Sequence, residues 1–115
     1  MTEIINRPDW KEFFRNFSKR HAGEKTRLGV FEVRDGVVND LWIEDGLPLL
    51  GIDVDTKEGK QTIGLVFEHF RHSIENASTI TQVSDKEVGG GLDIEDNEGK
   101  TTALRFEDYV VESED

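Results

Sequence analysis

The feature that most limits what this chain can fold into is a stretch written twice. Gly51-Ile52-Asp53-Val54-Asp55-Thr56-Lys57-Glu58-Gly59-Lys60 and Gly91-Leu92-Asp93-Ile94-Glu95-Asp96-Asn97-Glu98-Gly99-Lys100 each read as a strand, a polar glycine-containing turn and the start of a return strand. A second apolar run follows each, Ile63 to Glu68 in the first copy and Thr102 to Glu107 in the second, and the copies align when Gln61 is taken as a one-residue insertion. The reading is a duplicated β-hairpin, its copies offset by forty positions. If so, Ile52 and Leu92, and likewise Leu65 and Leu104, occupy equivalent inward positions, because a slip of one residue would turn one copy inside out.

Ahead of the repeat, Pro8-Asp9-Trp10-Lys11-Glu12 reads as a helix start, with Asp9 at the N-cap and Glu12 three residues on in the capping-box arrangement. Trp10, Phe13, Phe14 and Phe17 then recur at helical spacing, an aromatic stripe that must be buried against a sheet. Lys11, Arg15 and Lys19 face the other way, Lys19, Arg20 and His21 suit the carbonyl end, and Gly23 suits the residue after the C-cap. The helix is predicted over about residues 9–21.

From about 25 to 107 the period is two. Thr26 to Arg34, the turn Asp35-Gly36 and Val37 to Glu44 make a first hairpin, and Asp45-Gly46 with Pro48 marks a break before a new strand near Leu49. In the first repeat copy Leu50, Ile52 and Val54 share one face, and Ile63, Leu65 and Phe67 are its inward partners. The phase flips after Glu68-His69, which predicts a bulge or a short connection there. Thr79 to Val83 is a further strand, Ser84 to Lys86 a loop, and Gly89-Gly90-Gly91 allows a bend or a close backbone approach. Tyr109-Val110-Val111 adds a last pairing, and residues 112–115 form an acidic C-terminal tail. The expected architecture is α+β and a single domain over 1–115: one N-terminal amphipathic helix packed on a curved, mostly antiparallel sheet of six to seven strands, or a half-open barrel.

Composition narrows function mainly by exclusion. With 25 Asp and Glu against 14 Lys and Arg the net charge is −11, which repels nucleic-acid backbones and anionic membranes. No apolar run approaches the roughly 20 residues of a membrane span. The absence of cysteine removes disulfide and thiolate chemistry, and the first residues lack the apolar run of a signal peptide, so a cytoplasmic location is expected. No P-loop, Gly-x-Ser-x-Gly or His-Glu-x-x-His motif is present, and neither a catalytic residue nor a cofactor is expected.

His69 and His72, with Arg71 between them, are the candidate ligand or metal residues. Positions i and i+3 share a face on a helix but oppose each other on a strand, so the strand reading weakens a shared ion. Asp53-x-Asp55-x-Lys57 and Asp93-x-Glu95-x-Asn97 resemble the start of a calcium loop. The glycine comes one place late in both copies, and Lys57 occupies a ligand position, so calcium is not expected. Leu41-Trp42-Ile43 must point to both faces of a strand, with Leu47, Leu49 and Leu50 close behind. Trp42, Leu47 and Leu49 are therefore the candidate interaction surface.

Trp10-x-x-Phe13-Phe14-x-x-Phe17-Ser18-x-x-His21-x-Gly23, Leu47-Pro48-Leu49-x-Gly51-Ile52, His69-x-x-His72-x-Ile74 and Asp93-Ile94-Glu95 with Gly99-x-Thr101-Thr102-x-Leu104-x-Phe106 form a set spread over most of the chain. As a set it resembles a family of short bacterial proteins known only as a domain of unknown function, from which Ala77 departs where the family has proline. The resemblance implies a stand-alone bacterial domain and carries over no activity, cofactor or catalytic residue. The functional expectation is a small non-enzymatic cytoplasmic protein-binding or regulatory module that meets a protein partner or itself, and neither nucleic acid nor membrane. The alternative is a small-ligand- or metal-binding protein built on His69, Arg71 and His72.

Overall fold

The computed structural model describes residues 2–83 and 90–106; for Thr2, Arg34 and residues 38–45 it describes the backbone alone. Strand β1 (Thr2–Ile5) leads through a 3-10 turn (Arg7–Asp9) into helix α1 (Trp10–His21). There follow β2 (Lys25–Arg34), β3 (Val37–Lys57), β4 (Lys60–Phe67), β5 (Phe70–Ile74), β6 (Ala77–Val83), β7 (Gly91–Asp96) and β8 (Lys100–Phe106). The strands form one antiparallel sheet in the order β1-β6-β7-β8-β2-β3-β4-β5. The sheet coils until β4 lies near β6, and among the described residues its edges β1 and β5 do not pair, so it is not closed. The loop expected at Ser84 to Lys86, the pairing of Tyr109 to Val111, the 112–115 tail and the side chain of Trp42 lie outside what is described.

Among the described residues the sheet has eight strands rather than six or seven. One addition is β1, whose Thr-Glu-Ile-Ile sequence carries no alternation; β6 supplies its ladder, with Ile4 opposite Thr81 and Ile5 opposite Ile80. The phase flip after β4 is a two-residue turn, Glu68-His69, that starts the separate strand β5. In the other direction, the break expected at Asp45-Gly46 is absorbed into a single 21-residue β3. Thr26 pairs with Leu47 and Leu28 with Glu44, so the extra residues bulge, with Gly46 at φ 69°.

The repeat holds in register. Ile52 faces Leu65 across β3 and β4, Leu92 faces Leu104 across β7 and β8, and all four are buried. The extra residue of the first copy lengthens its ladder by the pairs Thr56 with Gln61 and Lys57 with Lys60, above the shared core register. That ladder ends in the two-residue turn Glu58-Gly59, both at positive φ, whereas the second copy closes through Asn97-Glu98-Gly99. Trp10, Phe14 and Phe17 are buried in the same core and Phe13 packs against it half-buried, each full burial contributing about 2 kcal/mol.

Two local expectations fail for stated reasons. Asp9 ends the 3-10 turn Arg7–Asp9, and its helical backbone (φ −96°, ψ −1°) leaves its side chain without a capping bond. Leu50 faces out at 51% exposure, because the pairing shifts between Leu49 and Gly51 and Leu49 takes the core position instead. The helix C-terminus follows expectation: Gly23 takes φ 85° and its N–H donates to the Leu49 carbonyl at 2.6 Å.

Candidate functional site

The bulge that exposes Leu50 lies beside α1. Ser18 Oγ accepts the Ile52 N–H at 2.9 Å and ties the helix flank to β3 just beyond the bulge. Between the two elements runs an open groove of about 630 Å³. Its apolar surface comes from Phe14, Leu50, Val54 and Val66, and its helical wall carries Lys11, Arg15 and Lys19.

These three cations stand at i, i+4 and i+8, about 12 Å end to end, and all are exposed. Among the described residues they form no ion pair. Lys19 suits the carbonyl end of the helix, but helix stability does not account for Lys11 and Arg15: like charges four apart cost ~0.2–0.5 kcal/mol per pair, and Lys11 in the first turn opposes the helix dipole. On a chain of net charge −11 the groove concentrates positive charge beside an exposed leucine.

The sheet side of the groove holds Asp53. Its carboxylate accepts two hydrogen bonds from Arg71, each at 3.0 Å, across the intervening strand β4. Gly64 lies under that bridge, where a Cβ would come within 2.6 Å of Arg71 Cζ. The hydrogen bonds, and then the negative charge of Asp53, raise the pKa of Arg71 further above its ordinary value. In the second copy Asp93 meets Arg105 at 2.9 Å, so Asp53 and its counterpart Asp93 each have an arginine partner. Asp96 instead accepts the N–H groups of Glu98 and Lys100 and holds its own turn. Among the described residues no three acidic or histidine side chains are placed to share a metal ion.

The residues expected to form a ligand site do not converge. His69 is exposed in the β4–β5 turn, Arg71 points outward to Asp53, and His72 points to the opposite face, opposite Leu65. His72 lines a separate polar cleft of about 310 Å³ with Ser73, Asp96, Lys100 and Thr102. Of the expected contact residues, Leu49 is fully buried and so belongs to the core, and Leu47 is half-buried against it. The cationic stripe was legible in the sequence, but as an ordinary solvent face. Only the position of the Leu50 bulge turns that face into one wall of a groove.

Burial pushes the pKa of His72 below its ordinary 6.5. The unfolded chain then binds a proton that the folded chain refuses, so this histidine's contribution to stability is complete above about pH 6.5 and lost as pH falls toward the folded value. His72→Asn is therefore expected to flatten the loss of stability between about pH 7 and pH 5 relative to the parent. Urea melts at both pH values check this; identical pH slopes for the two proteins would contradict it.

The chain matches over residues 1–112 the family described as "Family of unknown function (DUF5335)". No curated protein matches it. Among solved structures, the crystal structure of the Bacillus subtilis YojF protein superposes with a TM-score of 0.52 at 13% identity, covering 90% of this chain and 91% of that one. At that identity the likeness is one of fold.

Proposed function

We propose that this chain, which belongs to the DUF5335 family of unknown function, is a non-catalytic binding module whose contact site is the groove between α1 and β3. The observation that carries this reading is the stripe Lys11-Arg15-Lys19, unpaired among the described residues, set along the exposed Leu50 on a strongly acidic chain. The partner that fits is an acidic protein segment with interspersed apolar side chains, its carboxylates on the helix wall and its apolar groups on Leu50, Val54 and Val66. A cytoplasmic site of action accords with the absence of cysteine. The small-ligand alternative contracts to His72 and its cleft, with His69 and Arg71 directed elsewhere.

The test is a titration of the isotope-labelled chain with a synthetic peptide that alternates Asp or Glu with Leu and Val. Amide shifts are expected along Lys11 to Lys19 and Leu50 to Val54. Lys11→Glu with Arg15→Glu should weaken binding at least tenfold. These exposed positions tolerate the charge, and glutamate in the first helical turn favours the helix, so lost binding would not be unfolding. Shifts centred elsewhere, or affinity unchanged by the double substitution, would reject the groove.

A further inference from the structure

The inner face of the coiled sheet does not stay apolar to its rim. Side chains two apart on a strand share a face, so Thr102 and Lys100 continue the face of buried Leu104 on β8, Asp96 that of buried Ile94 on β7, and His72 that of buried Ile74 on β5. These residues line the polar cleft of about 310 Å³, framed by the β5–β6 and β7–β8 turns. The Asn97 N–H ties the two turns together by donating to the Asn76 carbonyl at 3.0 Å. Thr102 is 4% exposed, yet among the described residues its hydroxyl has no hydrogen-bond partner. Among the same residues neither ring nitrogen of His72 has one, and the half-buried Lys100 has no ion pair for its ammonium. Asp96 uses Oδ1 for the N–H groups of Glu98 and Lys100, and its Oδ2 accepts no bond there. Buried polar groups are normally paired within the protein; here a hydroxyl, an imidazole, an ammonium and a carboxylate line one space instead.

We propose that this cleft is a binding site for a small zwitterion of the free amino acid class, its carboxylate on Lys100 and Thr102 and its ammonium on Asp96. Charge selects this class. A simple anion would face the carboxylates of Asp96, Glu75 and Glu98, and a simple cation would face the Lys100 ammonium. A ligand that carries both charges leaves each of them matched. Burial keeps His72 neutral near pH 7, so the imidazole adds a hydrogen bond to the ligand without adding charge. Val30 and Ile74 supply an apolar wall for the ligand's side chain. The volume lies at the small end of the range for small-molecule pockets, about 300–1,000 Å³. The cleft shares no lining residue with the α1–β3 groove and is independent of peptide binding there.

The test is an NMR titration of the isotope-labelled chain, read at its amides and histidine rings, with each proteinogenic L-amino acid in turn. At least one is expected to shift the signals of His72, Asn76, Lys100 and Thr102 with a Kd below about 1 mM. Its N-acetyl derivative lacks the ammonium and its amide lacks the carboxylate, and each should bind at least about tenfold more weakly. Lys100→Met and Asp96→Asn should produce similar losses from the protein's side. The amide oxygen of the second variant still accepts the Glu98 and Lys100 N–H groups, so the turn is retained. Thr102→Val separates binding from folding: replacing an unpartnered buried hydroxyl by a methyl of the same shape should leave the Tm unchanged or raised, while the amino acid binds more weakly. No shift at the cleft with any amino acid up to about 10 mM, or shifts centred elsewhere, would overturn the assignment. So would a derivative lacking one charge that binds as tightly as its parent. A fall in Tm on Thr102→Val also counts against the site, since it would mean that the hydroxyl is satisfied within the protein.

Discussion

Gly91→Ala is expected to destabilise the protein by about 3 kcal/mol or more, while the same change at Gly51, its counterpart in the repeat, costs less than about 1 kcal/mol. The two glycines open their hairpins at the same register, Gly51 opposite Val66 and Gly91 opposite Arg105. Their surroundings differ. A Cβ on Gly91 would overlap the Leu104 carbonyl and come 3.1 Å from the Arg105 Cα, both backbone atoms that can move only by displacing β8. A Cβ on Gly51 would find only Ser18, at 3.8 Å and 4.0 Å, an ordinary contact. Strand β8 is held on its other side by β2 and bonded at its end, where the Phe106 N–H donates to the Gly90 carbonyl at 2.9 Å. The clash at Gly91 therefore has nowhere to relax. For a chain of this length about 3 kcal/mol corresponds to a fall in Tm of roughly 10 °C. Thermal melts of the two variants side by side check the pair; equal losses would mean that the close approach at Gly91 is relieved at little cost.

That contrast also marks how far the sequence could be read. Alternation and turn chemistry were enough to place Ile52, Leu65, Leu92 and Leu104 in equivalent inward positions, because strand period and register are local properties of the chain. Of the bend or close approach that the Gly89-Gly90-Gly91 run allows, a close approach is present at Gly91, but which of the two repeat glycines bears it depends on the path of β8 and has no local signature. Strand β1 escaped notice for the same reason: its place is set by a ladder with β6, some eighty residues away. The Leu50 bulge was hidden because Leu49 and Leu50 are equally apolar, and only the pairing with β4 decides which turns inward. The groove inherits that uncertainty, since its cationic wall is written in the helix and its apolar surface depends on the bulge.

Trp10→Ala should have an effect of comparable size, about 3–5 kcal/mol, and Trp10→Phe a much smaller one. Trp10 is 2% exposed, its Nε1 donates to the Ile5 carbonyl at 2.9 Å, and Arg7 lies over its ring at 5.1 Å. Arg7 also reaches the Ala77 carbonyl at 3.5 Å, so the indole ties the start of α1 to β1 and the arginine stacked on it reaches the beginning of β6. Alanine removes the packing and the hydrogen bond together. Phenylalanine retains most of the packing and leaves the Ile5 carbonyl without its indole donor, a loss of about 1 kcal/mol. The two variants also separate the scaffold from the site. Trp10 lies outside the groove lining, and the helix is fixed to β3 independently through Ser18 and through the Gly23 and Leu49 backbone bonds. Trp10→Phe is therefore expected to bind the acidic peptide with unchanged affinity despite its lower Tm. If its affinity fell in step with its stability, the geometry of the groove would depend on the β1 end of the helix, and the anchors at Ser18 and Gly23 would be insufficient to hold the cationic wall in place.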